Sequence, residues 1–155
     1  MRLLLDTHVL LWAAAGDARL TAAARDLLLD PAHDLCFSAA RIWEVAIKRA
    51  LDRPDVRTDP GVLRAGLLAN GCAEVPVAGR HCLPLATMPA HHADPFDRML
   101  LAQAQVEGMV FVTADRRLAA YGGALRMIGP PSGFRAAAYV RGKRNWRRRR
   151  GKACS

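Results

Sequence analysis

Short apolar runs that stop at a polar residue, each followed at once by a segment of helical character, constrain this chain more than any other feature. RLLLD (2–6) leads into THVLLWAAAG (7–16), DLCFS (34–38) into AARIWEVAIKRAL (39–51), and MVFVT (109–113) into ADRRLAAYGG (114–123). The apolar runs have the length of buried strands and are too short for helices. Strands separated by helices pair in parallel through crossover connections, so the expected class is α/β with a parallel sheet.

The remaining segments fit that alternation. Thr21 caps a helix AAARDLLLD (22–30) that stops before Pro31, and Gly71 ends a helix GVLRAGLLAN (61–70). CAEVPV (72–77) reads as a third strand near a sheet edge, because Pro76 has no N–H to give to a ladder. Residues 78–93 read as irregular. Asp94 and Pro95 then open a helix, PFDRMLLAQAQVEG, with the cap-and-proline signature of a helix start. LRMIG (125–129) supplies a fifth strand. On the helix after Ser38, Ile42, Val45, Ala46 and Arg49 fall at helical spacing; on the DPFDR helix, Phe96, Leu100 and Ala104 form one apolar stripe. Trp12 and Trp43, on apolar helices, are expected in the core.

Size and charge bound the rest. The 155 residues suit one domain, and 52% hydrophobic residues suit a folded globule. No apolar run reaches the roughly 18 residues of a membrane span. The opening MRLLLDTHVLLWAAAG has faint signal-peptide character, but Asp6 and His8 interrupt it, and it reads as the first strand and helix. Cys36, Cys72, Cys82 and Cys154 form no C-x-x-C pair and read as reduced thiols of a cytoplasmic protein. The net charge of +9 is local: basic and acidic residues balance up to Pro130, and all nine excess cations lie beyond it. The expected organisation is a domain over 1–130 and a basic, disordered tail over 131–155.

In a parallel α/β fold, strand C-termini and helix N-termini share one edge, where ligands bind. Asp6 closes the first strand, Asp115 lies just past the fourth, and Asp97 is in the first turn of the DPFDR helix. Glu44 lies further into its helix but leans back toward the same edge. Each acid has a plainer role open to it. Asp6 and Asp115 could cap the helices that follow, Asp97 could answer the helix dipole, and Asp94 is foremost a helix cap. Glu44 could pair with Lys48, worth only about 0.3–0.5 kcal/mol on a surface. Jointly the picture changes. At an effective dielectric of about 20, two like charges at 4 Å cost about 4 kcal/mol, so converging carboxylates must take up protons or a cation. Oxygen ligands favour Mg²⁺ or Mn²⁺. Such an ion lowers the pKa of a bound water and stabilises charge on a phosphoryl oxygen, which suits hydrolysis of a phosphodiester. All of this requires the side chains to meet at one point. Scattered acids, or acids neutralised by lysine and arginine from within the fold, would leave a globule of no assigned function.

LLDTHVLLW (4–12), SAARIWEVAIK (38–48), HHADPFDRMLLAQA (91–104) and VTADRRL (112–118) occur in the order and approximate spacing of VapC-like toxins, and residues 2–129 resemble this branch of the PIN-domain ribonucleases. The resemblance implies a three-layer α/β/α sandwich with a four- to five-stranded parallel sheet. It also implies Mg²⁺- or Mn²⁺-dependent endonuclease cleavage of RNA, with water as nucleophile and the 3′ oxygen leaving. By motif, Asp6, Glu44, Asp97 and Asp115 match the family's acids, and the pattern selects Asp97 over Asp94. Asp6 and Asp97 are implied as direct ligands, and Glu44 and Asp115 as acting through water or on a second ion. Thr113 matches a hydroxyl position that orders water or the metal shell. A homodimer and a cognate antitoxin, whose tail occupies the acidic cleft, are implied partners.

The basic tail departs from that family. Arg147, Arg148, Arg149 and Arg150 beside Trp146 could grip phosphates and stack a base, although a plain solvated tail is the simpler expectation. Arg98 reads equally as an RNA contact or as a partner of a neighbouring acid, and His91 and His92 read as loop residues beside the acids. Two functions compete with the nuclease. A phosphoacceptor receiver domain needs a lysine at the end of a late strand, and Lys48 lies on a helix. A non-catalytic RNA- or protein-binding module on the same fold has no need of all four acids. A P-loop enzyme lacks its G-x-x-x-x-G-K-[ST] motif here.

Overall fold

The computed structural model describes residues 1–52 and 58–129. The expected boundary at residue 130 and the tail residues Trp146, Arg147, Arg148, Arg149, Arg150 and Cys154 lie outside the described residues. Strands β1 (Arg2–Leu5), β2 (Asp34–Ser38), β3 (Ala73–Val75), β4 (Val110–Thr113) and β5 (Leu125–Met127) form one sheet in the order β3-β2-β1-β4-β5. Every neighbouring pair is parallel. Helices α1 (Thr7–Ala15), α2 (Ala22–Leu29), α3 (Ala39–Ala50), α4 (Pro60–Ala69), α5 (Gly79–Cys82) and α6 (Pro95–Glu107) make the crossovers. β3 lies at an edge, as Pro76 requires.

The period-2 alternation of β1 divides the core. Leu3 and Leu5 pack on one face with Val9, Leu28, Phe37 and Leu67, whereas Leu4 packs on the other with Cys36, Leu100 and Phe111. Each such side chain, once buried, stabilises the fold by about 1.5–3 kcal/mol before the cost of ordering it. Helices therefore cover both faces, which gives the three-layer α/β/α sandwich. Among the described residues no helix is long and apolar enough to cross a membrane.

Local starts and stops follow the sequence. Thr21, Ser38, Asp59 and Asp94 each accept a backbone N–H at a helix start. Gly16 and Gly108 end α1 and α6 at φ 62°, a conformation that favours glycine. Four expectations need correction. Residues 78–93 are not wholly irregular: α5 and a 3-10 turn (Leu83–Ala86) lie there, anchored by a buried His81 whose Nδ1 accepts from the Ala78 N–H. The segment after Asp115 is a 3-10 turn, Arg116–Tyr121, and not an α-helix. The expected face of α3 is only partly right: Val45 is buried and Ile42 packs half-buried against the core, but Arg49 is exposed, and the buried polar positions are Arg41 and Glu44, with three carboxylates gathered on Arg41. Trp43 is not in the core; it is 63% exposed and lies edge-on to Phe96.

Two buried polar side chains tie the site-bearing helices together. Ser38 Oγ accepts from the Ala40 N–H at 3.0 Å and donates to Gln103 Oε1, while Gln103 Nε2 donates to the Pro76 carbonyl at 3.2 Å. Ser38 thereby caps α3 and locks it to α6. Truncating Gln103 strands a hydroxyl and a carbonyl. Gln103→Ala should lower stability by about 2–3 kcal/mol, read as a fall in urea midpoint at constant m. A loss below about 0.5 kcal/mol would show that this link does not hold the two helices.

Candidate functional site

The sheet grows in one direction from β1 through β2 and in the other through β4, so the chain switches sides beside β1. A crevice opens at such a point, beyond the strand C-termini. Here it is a pocket of roughly 470 Å³ lined by Asp6, Glu44, Asp94, Asp97 and Asp115, together with Arg19, Arg41, Lys48 and Arg117. The four acids expected at this edge therefore do line one pocket. Asp6 begins α1 but makes no side-chain cap, so its carboxylate is left for the pocket. Thr113, the last residue of β4, donates its hydroxyl to Asp6 Oδ2 at 2.8 Å and accepts the Asp115 N–H at 3.1 Å. Asp94 caps α6, accepting from Phe96 N and Asp97 N.

Arg41 occupies the middle of the cluster, a position the motif reading does not assign. Its side chain is buried on α3, three residues before Glu44 and so on the same helix face. Nη1 pairs with Glu44 Oε2; Nη2 pairs with Asp97 Oδ1 and with Asp6 Oδ1, the latter at 3.0 Å. Lys48 Nζ takes the other oxygen of Glu44 at 2.7 Å. Part of the compensation expected from an external cation thus comes from within the fold. Burial works against the charge of Arg41, but Asp6, Glu44 and Asp97 outweigh it and hold the guanidinium firmly protonated. For Glu44, burial pushes the carboxyl up, and Arg41 and Lys48 more than reverse this, holding it below its ordinary range. For Asp97, burial wins: despite Arg41 the carboxyl is raised, with Asp6 and Asp94 adding to the rise.

His92 belongs to the site and not merely to the loop beside it. It is buried, with Nδ1 3.6 Å from Asp97 Oδ2 and Nε2 3.7 Å from Asp115 Oδ2. One ligand atom each of His92, Asp97 and Asp115 lie within 4.8 Å of one another, a spacing open to a metal ion. The tautomer argues against His92 as the ligand. Nδ1 accepts the Asp94 N–H at 3.1 Å, so the proton of the neutral ring sits on Nε2, which has no hydrogen-bond partner and faces Asp115. His92 thus offers the site a donor. Asp115 is held below its ordinary range chiefly by its hydrogen bonds from Arg117, and it also caps the turn that follows through Arg117 N.

Charge decides whether a divalent cation fits. Five lining carboxylates face Arg41, Lys48 and Arg117, while Arg19 is already paired with Asp17 at 2.7 Å. Two negative charges remain in excess, which one divalent ion would cancel. The oxygen-rich donor set matches a hard ion such as Mg²⁺ or Mn²⁺. At the rim, Arg19 lies over the Trp12 ring, 4.7 Å from its centroid, and places a cation and a ring beside the acids. Trp12 is half-buried, so only part of it lies in the core. Arg98 takes neither expected role: its guanidinium donates to the carbonyls of Leu85, Met88 and Pro89, and to Tyr121 Oη, bracing the 78–93 segment. His91 lies edge-on to Tyr121.

A family model described as PIN domain matches residues 3–124. No curated protein matches. Among solved structures, a chain in the crystal structure of VapBC2 from Rickettsia felis bound to a DNA fragment from their promoter is similar, with a TM-score of 0.59 and 11% identity. The match covers 82% of this chain and 97% of that one, and the likeness is one of fold.

The opposite shifts of Asp97 and Glu44 give a signed expectation for stability in excess chelator. The raised carboxyl of Asp97 means that its charged form opposes folding at neutral pH, a penalty lifted as pH falls through the raised value. The depressed carboxyl of Glu44 contributes stability that is present above its ordinary 4.5 and lost as pH falls through the depressed value. At pH 7 Asp97→Asn should therefore raise the urea midpoint and Glu44→Gln should lower it, both differences shrinking in acid. Shifts of the same sign at pH 7 would contradict this electrostatic picture.

Proposed function

The chain belongs to the PIN-domain family, and on that premise we propose that it is a metal-dependent endoribonuclease, the toxin of a toxin–antitoxin pair. PIN domains are generally nucleases, and one observation carries the assignment to this chain. Asp6, Glu44, Asp97 and Asp115 reach one crevice from the ends of β1 and β4 and from α3 and α6, and they keep a negative excess after every internal ion pair is counted.

Asp6, Asp97 and Asp115 would hold the ion, with Glu44 acting through water. When bound, a divalent ion lowers the pKa of water and stabilises charge on a phosphoryl oxygen. The chain's own groups prepare that site. Thr113 fixes the orientation of Asp6 by donating to one of its oxygens. The Asp94 N–H fixes the His92 ring, whose Nε2 lies 3.7 Å from Asp115 Oδ2. Lys48, Arg19 and Arg117 reach the pocket from partly or largely exposed positions, where they can meet an anionic backbone that the carboxylates alone would repel. In this account residues 1–130 are the nuclease domain and 131–155 a basic extension. The partners are RNA, a second copy of the chain and an antitoxin. Lodging that antitoxin's tail in the cleft would silence the enzyme.

A second reading is a non-catalytic binding module on the same fold. Arg41 favours it, since an internal cation lessens the need for a metal. The residual charge and the oriented Asp6 and Asp115 favour the enzyme. Purified protein free of antitoxin should cut structured RNA with Mg²⁺ or Mn²⁺ and stop in excess chelator. Asp6→Asn and Asp97→Asn should remove cutting while the fold survives by circular dichroism, and induced expression should arrest growth unless the antitoxin is made as well. Full cutting by both variants, or in chelator, overturns the mechanism.

A further inference from the structure

Arg41 is placed where several rules disfavour a cation. It lies in the first turn of α3, at the positive end of the helix dipole, and it is only 4% exposed. Its Nε is buried without a hydrogen-bond partner. Removing a guanidinium from water is costly unless carboxylates compensate, and here three of them do, at Asp6, Glu44 and Asp97. Two of the three are proposed direct ligands of the divalent ion. The same Nη2 spans Asp6 and Asp97, so it stands where an ion shared by those two residues would stand. A guanidinium and a divalent ion drawn to the same oxygens also repel each other.

We propose that Arg41 is a built-in counter-cation that competes with the divalent ion for Asp6, Glu44 and Asp97, so that the chain weakens its own metal affinity. This rests on the metal-dependent nuclease reading and adds a claim that binding alone can test. Without metal the guanidinium keeps the buried acids compensated and the fold intact. With metal, Arg41 gives up Asp6 Oδ1 and Asp97 Oδ1 to the extent that a shared ion takes those same oxygens. The unpartnered Nε leaves the guanidinium short of full satisfaction in its resting place, which eases that release.

The test is Mn²⁺ binding to the full chain, followed by electron paramagnetic resonance of free Mn²⁺, in wild type, Arg41→Lys and Arg41→Met. Lysine keeps one charge but has no planar fork to span three acids, whereas methionine removes the charge at similar length. Affinity should rise from wild type through Arg41→Lys to Arg41→Met, with the last at least about tenfold tighter than wild type. The thermal midpoint of Arg41→Met should fall in excess chelator and gain more from Mn²⁺ than that of wild type. Equal affinities, or the reverse order, overturn the competition while leaving a metal nuclease in place. No binding by any of the three proteins overturns both claims. If Arg41→Met is unfolded in chelator, refolding by Mn²⁺ too dilute to move the wild-type midpoint supports the proposal, and failure of Mn²⁺ to refold it at any concentration overturns it.

Discussion

Like charges cannot be buried together without compensation, and this site is organised by that constraint. A parallel sheet brings every strand C-terminus to one edge, and a chain that switches sides beside its first strand opens a crevice there. Asp6, Asp97 and Glu44 are all buried in it. At a few Å of separation their mutual repulsion would cost several kcal/mol for each pair, a large share of the roughly 5–15 kcal/mol by which a domain of this size is stable. Something must supply positive charge, and the fold supplies part of it through Arg41, Lys48 and Arg117.

That partial supply shapes the chemistry. Full neutralisation would leave an inert ionic core, and none would leave a fold dependent on metal. The pocket keeps an excess of two negative charges, enough for one divalent ion, while four of its acids already have a resting partner. Around this centre the supporting contacts are short and mostly buried. Thr113 holds Asp6, the Asp94 backbone sets the His92 tautomer, and Gln103 ties the helix of Asp97 to the helix of Arg41 and Glu44. A catalytic constellation needs such second contacts to keep its geometry.

Much of this was legible in the sequence. The strand-then-helix alternation identified the parallel sheet, Pro76 placed β3 at an edge, and Asp94-Pro95 marked the start of α6, because each is a local effect of chain geometry. The acids were legible as a set because Asp6, Asp97 and Asp115 fall at strand ends or helix starts and Glu44 leans back toward the same edge. Arg41 was not, because its role depends on Asp97, which comes 56 residues later in the chain. Its spacing from Glu44 was visible, but that pair alone also describes an ordinary surface ion pair. Trp43 was misplaced because an apolar residue on an apolar helix was read as core, whereas the buried positions of α3 include Arg41 and Glu44 and leave Trp43 exposed. Arg98 was drawn to RNA by its neighbour Asp97, whereas the carbonyls it braces belong to a loop whose path the sequence does not reveal.

The central claim is that these carboxylates share a divalent ion that the internal cations leave room for. Anomalous diffraction from crystals of the full chain grown with excess Mn²⁺ tests it most directly. The account predicts a manganese peak at coordination distance from Asp97 and at least one of Asp6 and Asp115. Crystals that show the Arg41 guanidinium still bridging Asp6 and Asp97, with no manganese among the four acids, would contradict it.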